Sequence, residues 1–151
     1  MIKNIAHIGL TVRDLDRSVK FYKDILGLDY KGFMYMEGES TDRLFKGQNI
    51  KAKIAYLSPK SCEACPDVEL IEFERGEVEE DQPSLFKTSI SELCFGVEDI
   101  EVFYNKLIED GVEVMSQPQV FDSTSYGFDK SKAFYFYDPD GNILEAIESL
   151  A

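Results

Sequence analysis

The chain has 151 residues and a mass of 17.2 kDa, the size of one ordinary domain or of two small modules that share a core. It is 44% hydrophobic and 30% charged, a composition typical of a globular protein rather than of a disordered one. Its 29 acidic and 16 basic residues give a formal net charge of −13, which excludes a dedicated nucleic-acid binder because such a surface repels phosphate backbones.

The sequence also argues against a membrane protein and against a disulfide-stabilised one. No apolar run approaches the length that crosses a bilayer, and residues 1–15 alternate apolar and polar side chains, unlike a signal peptide. Three cysteines, an odd number, do not make a disulfide framework in a chain of this size. We therefore expect a cytoplasmic protein with neither a nucleic-acid nor a membrane partner.

Residues 5–12 are predicted to form the first strand. In IAHIGLTV, apolar side chains alternate with His7, Gly9 and Thr11, so that one face packs and the other carries the imidazole. Asp14 is a candidate N-cap of the helix that follows, and Gly27 is its predicted end. The apolar stripe of this helix has spacings of four, three and four residues and consists of Leu15, Val19, Tyr22 and Leu26. The other strands predicted in the first half cover residues 28–34, 52–57 and 67–73.

The same order of elements recurs 85 residues later, from Ile5 to Ile90. Residues 90–97, ISELCFGV, alternate as the first strand does, and Glu92 falls where His7 stands in the first half. Asp99 is the candidate N-cap of the second helix and Gly111 its predicted end, with an apolar stripe of Ile100, Phe103 and Leu107. Further strands are predicted near 112–116, 133–137 and 142–147, and the last two are joined by an Asp-Pro-Asp-Gly turn.

Each half closes on a strand with two glutamates three residues apart, Glu69 and Glu72 in the first and Glu145 and Glu148 in the second. The chain therefore contains the pattern β-α-β-β-β twice. We predict a first module over residues 4–74, a linker over 75–89 and a second module over 90–149.

Four side chains occupy equivalent places in this repeat, namely His7, Glu69, Glu92 and Glu145. If a pseudo-twofold axis relates the halves, the four meet near that axis. Carboxylates gathered beside an imidazole are unfavourable unless a cation neutralises them, and a divalent metal ion is the simplest such cation. Taken singly, each glutamate is more often a solvated or lysine-paired residue and the histidine a hydrogen-bonded core residue. It is their shared position that favours a metal site.

The segments HIGLTVRDLDRSVKFYKDILGL, VELIEFERG, LCFGVEDIE and FYDPDGNILEAIE resemble four landmarks of the vicinal oxygen chelate superfamily. This superfamily includes glyoxalase I, methylmalonyl-CoA epimerase, extradiol dioxygenases and the bleomycin- and fosfomycin-resistance proteins. The resemblance implies an α+β fold in which two tandem βαβββ modules form a half-open curved mixed sheet around a metal cleft, with helices on the outer face. It implies that one divalent ion is bound by His7, Glu69, Glu92 and Glu145. Glu72 is the competing choice for the second landmark, but its parity puts it on the opposite face.

The sequence departs from many relatives at Glu92, where they have histidine, and the chain contains no second histidine. An extradiol dioxygenase needs two histidines and a carboxylate for iron, so the histidine count excludes that activity, and it weakens a fosfomycin-type transferase as well. One histidine and three glutamates favour a harder ion, manganese or magnesium, with cobalt, nickel and zinc as alternatives. Alternatively, Glu92 marks a site that has lost its metal.

Within the superfamily, the residues favour proton transfer α to a carbonyl through a metal-stabilised enediolate. Glu69 and Glu145 are the candidate bases, one from each half. The first choice is a glyoxalase-like lyase or isomerase of the lactoylglutathione lyase type, followed by a methylmalonyl-CoA-type epimerase. The alternative of a different class is a non-catalytic small-molecule binder of the bleomycin-resistance type, which the 8 tyrosines and 11 phenylalanines keep open.

Two loops, a basic stretch and a cysteine pair are further candidates for a functional role. Loops 35–50 and 117–132 are candidate lids, the second with Phe121, Tyr126 and Phe128. A basic stretch is either an anion-binding lip or a solvated loop balanced by acidic residues 76–81, and it contains Arg43, Lys46, Lys51 and Lys53. Cys62 and Cys65 form a CxxC motif in a hairpin loop rather than at a helix start, so a structural or incidental role is expected rather than a redox pair or a zinc site. The resemblance also implies a homodimer with a small-molecule substrate.

Overall fold

The computed structural model describes all 151 residues and divides into two compact units, Met1–Glu80 and Asp81–Ala151. Each unit has one four-stranded mixed sheet, in which its first and last strands are parallel neighbours and the other strand pairs are antiparallel. The predicted α+β fold of two βαβββ modules is confirmed. No helix of the structure is long and apolar enough to cross a membrane.

The first unit begins with strand β1 (His7–Thr11) and helix α1 (Leu15–Lys20), which continues as a π-helical turn over Phe21–Ile25. The remaining elements are β2 (Asp29–Glu37), α2 (Glu39–Phe45), β3 (Lys51–Ser58) and β4 (Asp67–Arg75). The strand order across the sheet is β1-β4-β3-β2, so that β1 lies beside β4 and β2 lies at the edge.

The second unit repeats this order with β5 (Leu93–Gly96), α3 (Ile100–Glu109), β6 (Gln119–Asp122), β7 (Lys130–Tyr137) and β8 (Ile143–Ser149). A single 3-10 turn, Thr124–Tyr126, lies between β6 and β7. The strand order is β5-β8-β7-β6, which matches the first unit strand for strand.

Helices α1 and α3 begin at the residues that the sequence predicts. Asp14 accepts a hydrogen bond from the backbone N–H of Arg17 at 3.0 Å, and Asp99 accepts one from the N–H of Val102 at 3.0 Å. These are N-cap bonds, which satisfy a backbone donor that has no partner inside the helix. The helices pack against their sheets, and the fully buried side chains include Tyr22, Leu57 and Leu70 in the first unit and Ile100, Leu107, Phe136 and Leu144 in the second.

Three segments differ from what the sequence predicts. The strand predicted over 90–97 is limited to Leu93–Gly96, so that Glu92 lies just before it. The strand predicted over 112–116 was wrong, because this segment contributes only one bridge, Val114 to Phe136, and the edge strand is Gln119–Asp122. Loop 35–50 contains the end of β2 and helix α2, whose polar residues gave no clear apolar stripe to detect.

Cys62 and Cys65 form a disulfide in the loop between β3 and β4. A spacing of three residues within a tight turn places their Cα atoms 5.4 Å apart, which lies within the usual range for a bridge. The cysteine count did not predict this bond, because one short-range disulfide does not amount to a framework. Cys94 is the one free cysteine.

Candidate functional site

In the first unit, His7, Glu69 and Tyr56 lie together on the face of the sheet opposite helix α1, which we call the open face. The Nε2 atom of His7 is 3.3 Å from Oε2 of Glu69, and the side chain of Glu69 is 9% exposed against 46% for His7. Tyr56 lies directly across from Glu69 in the β3–β4 register and donates its O–H to that carboxylate. This hydrogen bond, together with burial, raises the pKa of Tyr56 to about 12.

Gly9 keeps one side of the Glu69 carboxylate open. Gly9 is the register partner of Glu69 in the parallel β1–β4 pair. A Cβ atom at this position would lie 3.4 Å from Oε1 of Glu69 and 3.7 Å from Cδ1 of Ile71. Glycine therefore leaves the space beside Oε1 of Glu69 without a side chain, while Oε2 faces His7.

In the second unit, Glu145 occupies the place that Glu69 has in the first, across from Tyr135 on β7. Cys94 is its register partner on β5 and donates its thiol to the Glu145 carboxylate. Burial, together with this contact, raises the pKa of Cys94 to about 12. Burial also raises the pKa of Glu145, and the negative charge of nearby Glu92 adds to that shift.

The two units thus share one arrangement of side chains and differ at two positions. A tyrosine faces the glutamate in both, but His7 is replaced by Glu92 and Gly9 by Cys94. The side chain of Cys94 therefore fills a position that is empty beside Glu69. Sequence reasoning missed Tyr56, Tyr135 and Cys94, although each tyrosine stands on the first strand of a predicted hairpin, opposite the glutamate of the second.

The second glutamate of each closing strand has a structural role instead. Glu148 accepts a hydrogen bond from the backbone N–H of Ile100 at 2.9 Å, and Glu72 accepts one from the N–H of Leu15. Both bonds satisfy the first N–H group of a helix. Glu72 and Glu148 therefore lie on the helix face of their sheets, which supports Glu69 over Glu72 as the candidate ligand.

A cavity adjoins the open face in each unit, farther along the closing strand. The first has a volume of about 690 Å³ and is lined by residues that include Phe45, Lys46, Ile50 and Phe73. The second has a volume of about 610 Å³ and is lined by residues that include Ser123, Phe128, Ser131 and Ile147. Residues of both predicted lids, 35–50 and 117–132, therefore form cavity walls. Phe121, Tyr126 and Phe128 are all exposed.

Most of the basic stretch is paired with carboxylates. Arg43 is 2.7 Å from Glu39, Lys51 is 3.1 Å from Glu74, and Lys53 is 3.9 Å from Asp16. None of these partners belongs to residues 76–81, where the sequence placed the balancing charge. Lys51 and Lys53 also lie over aromatic rings, those of Tyr35 and Phe33. Lys46 instead contributes to the wall of the first cavity.

The chemistry of the donors fits a divalent ion, although neither unit supplies a full ligand set. A metal bond of about 2.0–2.2 Å to nitrogen or oxygen places two adjacent ligand atoms about 3.0–3.4 Å apart. The 3.3 Å between His7 and Glu69 agrees with that separation. No group of three or more histidine, cysteine, aspartate or glutamate side chains has an arrangement that could hold a metal ion.

Comparison with known proteins places this chain in a family. The family model of the Glyoxalase/Bleomycin resistance protein/Dioxygenase superfamily matches residues 4–146. The chain belongs to this superfamily. The crystal structure of a glyoxalase family protein from Bacillus cereus has the same fold, with a TM-score of 0.83 and 20% identity over 100% of this chain and 97% of that one.

Three curated proteins are similar in sequence to this chain over most of its length. The uncharacterized protein YraH of Bacillus subtilis is 32% identical over 97% of this chain and 98% of its own length. The lactoylglutathione lyase of Haemophilus influenzae is 28% identical over 96% of this chain and 92% of its own length. The metallothiol transferase FosB of Shouchella clausii is 25% identical, covering 96% of this chain and 80% of its own length. Glyoxalase-superfamily members typically use a divalent metal, and the superfamily includes enzymes.

Proposed function

We propose that this protein is a metal-dependent enzyme of the glyoxalase type, a lyase or isomerase that moves a proton α to a carbonyl. The observation that carries the proposal is the pair of matched glutamates, Glu69 and Glu145, each on the open face of its sheet with a tyrosine opposite. A protein that only traps a ligand has no use for a buried carboxylate and a partly buried one at two equivalent positions, since burying them costs free energy. Similarity to a lactoylglutathione lyase over nearly the whole chain supports the same class.

His7, Glu69, Glu92 and Glu145 are the residues proposed to hold one divalent ion. When bound, that ion supplies the Lewis acidity that stabilises an enediolate in this class of reaction. Three carboxylates and one imidazole favour manganese, magnesium, cobalt or nickel over a zinc site built on thiolates. His7 and Glu69 belong to the first unit, and Glu92 and Glu145 belong to the second.

Glu145 is the proposed proton acceptor, and Glu69 is the second candidate. Burial and the charge of Glu92 raise the pKa of Glu145, which makes it a stronger base than an ordinary surface carboxylate. Glu69 is held between His7 and Tyr56, so its orientation is fixed by two neighbours. A fixed carboxylate suits ligand binding, whereas Glu145 has only the thiol of Cys94 as a partner and suits proton transfer.

The proposed substrate is a small thiol adduct. It is either a hemithioacetal of a 2-oxoaldehyde or an acyl thioester. The cavity of each unit has aromatic and polar residues in its wall, as ligand sites often do. In a chain with a net charge of −13, an anionic thiol adduct requires a local cation, and Lys46 in the first cavity wall is the candidate. A cytoplasmic location and a homodimer complete the proposal, following the expectations from the sequence.

A methylmalonyl-CoA-type epimerase is the second candidate for the same residues. Glu69 and Glu145 stand on separate units, and an epimerase needs two acid–base groups where an isomerase of the glyoxalase type can use one. A non-catalytic binder of the bleomycin-resistance type is the alternative of a different class, favoured by the exposed rings of Phe121, Tyr126 and Phe128.

The direct test of the proposal is turnover by the metal-loaded protein. Hemithioacetals of methylglyoxal with several thiols and the epimers of acyl-CoA thioesters are the substrates to offer. We expect Glu145→Gln to abolish turnover with the fold intact by circular dichroism. Glu72→Gln is the matched control, because the amide oxygen still accepts the N–H of Leu15 and turnover should persist. Retained activity in Glu145→Gln would remove the proposed role of this residue.

A further inference from the structure

We propose that Cys62 and Cys65 form a redox site that exchanges with small thiols while the protein stays folded. Their disulfide lies in the connection between Ser58 and Asp67, the ends of β3 and β4. This motif is not used by the proposed proton-transfer chemistry, and the inference does not depend on it. The site accepts two electrons from thiols such as glutathione or from a dithiol, and returns to the disulfide by the reverse exchange.

The position of the disulfide argues against a role in holding the fold. A disulfide stabilises mainly by closing a loop of the unfolded chain, and a spacing of three residues closes almost the shortest loop that is possible. The two strands that it follows and precedes are already paired from Lys51 with Arg75 to Leu57 with Val68. The start of β4 is held further by the 2.8 Å ion pair between Lys31 and Asp67.

The disulfide is also accessible to a reductant. Ser61, Glu63 and Ala64 around it are exposed, and the two cysteines are only partly buried. An attacking thiolate must approach a sulfur from outside the turn, and the exposed residues on either side of Cys62 and between the two cysteines leave that approach open.

The exchange proceeds in two balanced steps. A thiolate attacks one sulfur, the S–S bond breaks, and the other cysteine leaves as a thiolate that takes up a proton. A second thiolate then attacks the mixed disulfide, forms a small-molecule disulfide and releases the first cysteine. The net reaction converts one protein disulfide and two thiols into one protein dithiol and one small-molecule disulfide, a transfer of two electrons.

Reduction is expected to loosen the loop without opening the sheet. The chain runs from Cys65 through Pro66 to Asp67, whose N–H bonds to the carbonyl of Ala6 at 3.4 Å. Freed from the bridge, residues 59–66 gain mobility, and their amide hydrogens exchange faster. The amides of β3 and β4 keep their protection because the ladder between them is intact.

The test is a redox titration of the folded protein in graded mixtures of reduced and oxidised dithiothreitol, followed by acid quench, alkylation in denaturant and mass measurement. We expect one two-electron transition, from one alkylated cysteine to three, with an unchanged circular dichroism spectrum. The Cys94→Ser variant should shift from none to two, which assigns the change to Cys62 and Cys65.

Two results would overturn this inference. One is a disulfide that dithiothreitol reduces in denaturant but not in the folded protein, since that is the behaviour of an enclosed bond. The other is a Cys62→Ser/Cys65→Ser variant that has lost its folded circular dichroism signal. Oxidised glutathione should form a mixed disulfide with the remaining cysteine of Cys65→Ser or of Cys62→Ser, with release of one reduced glutathione.

Discussion

The carboxylate of Glu69 has two neighbours that fix its direction, His7 at 3.3 Å and the O–H of Tyr56. Glu145 has no imidazole beside it and contacts the thiol of Cys94. Single side chains therefore set the difference between the two halves of a repeated sheet. The strand parity of Glu69 and Glu145 was readable from the sequence, whereas Tyr56 and Cys94 were not, because their partners stand on other strands.

The hydrogen bond from Tyr56 gives a first prediction at this scale. In Tyr56→Phe the ring remains and only the donor to Glu69 is lost, so the fold should persist. Loss of a group that orients a metal ligand typically weakens metal affinity by about 10–100-fold, and we expect that range here. Tyr135→Phe is the matched control, since Tyr135 faces Glu145 but its raised pKa comes from burial rather than from a hydrogen bond. Equal affinity in Tyr56→Phe and the parent protein, measured by calorimetry, would contradict this role.

The raised pKa of Glu145 predicts a pH dependence of stability. Burial and Glu92 raise this pKa above the value of 4.5 expected for the unfolded chain. The folded state then binds the proton more tightly, so stability is highest below about pH 4.5 for this group and is lost as pH rises through the folded pKa. Glu145→Gln removes the loss and should be more stable than the metal-free parent protein at pH 7. The difference should vanish near pH 4.

Urea unfolding at pH 4, 5.5 and 7 measures this effect. A Glu145→Gln variant that is less stable than the parent protein at pH 7 would mean that the charged carboxylate stabilises the fold. A gain in stability upon removal of the carboxylate is what a group kept for function is expected to show.

Among the single elements, helices α1 and α3 begin in the same way. Asp14 and Asp99 cap them from the N-terminal side, while Glu72 and Glu148 reach them from the closing strands. The caps were predictable, because the aspartate precedes an apolar stripe of helical period. The contact from the closing strand was not, since it joins residues that are 57 and 48 positions apart, Leu15 to Glu72 and Ile100 to Glu148.

Replacing either cap should cost stability. We expect Asp14→Ala and Asp99→Ala each to lower the free energy of unfolding by about 1 kcal/mol, since each leaves a helix N–H without its acceptor. The Asn variants, whose side-chain oxygen still accepts the bond, should recover most of this loss. Urea unfolding of the four variants checks the prediction, and an Asn variant as unstable as its Ala counterpart would show that charge rather than capping is responsible.

The elements that the sequence did not predict were missed for one physical reason. Helix α2 and strand β6 are short and mostly exposed, so their sequences lack a period that burial would impose. The strands next to each helix were found because one face packs and the other does not. Loop disulfides such as that of Cys62 and Cys65 depend on local turn geometry, which the cysteine count does not report.

At the scale of the whole molecule, the repeat explains why the family was recognisable from one sequence. Two units of the same strand order each present a glutamate and a tyrosine on the open face, and the residue before β5 replaces the histidine of β1. Glu92 distinguishes two alternatives for the site. A carboxylate at this position either completes a binding site for a hard ion or marks a site that no longer binds metal.

Metal binding by the stripped protein shows most directly whether His7 and the three glutamates hold an ion. Titration calorimetry with manganese, cobalt, nickel and zinc is predicted to show one ion per chain, with binding weakened in Glu145→Gln and in Glu69→Gln. Glu72→Gln, on the opposite face, should bind as the parent protein does. The absence of binding to any of these ions, or equal affinity in all four proteins, would contradict a metal site at these residues and favour a non-catalytic binder.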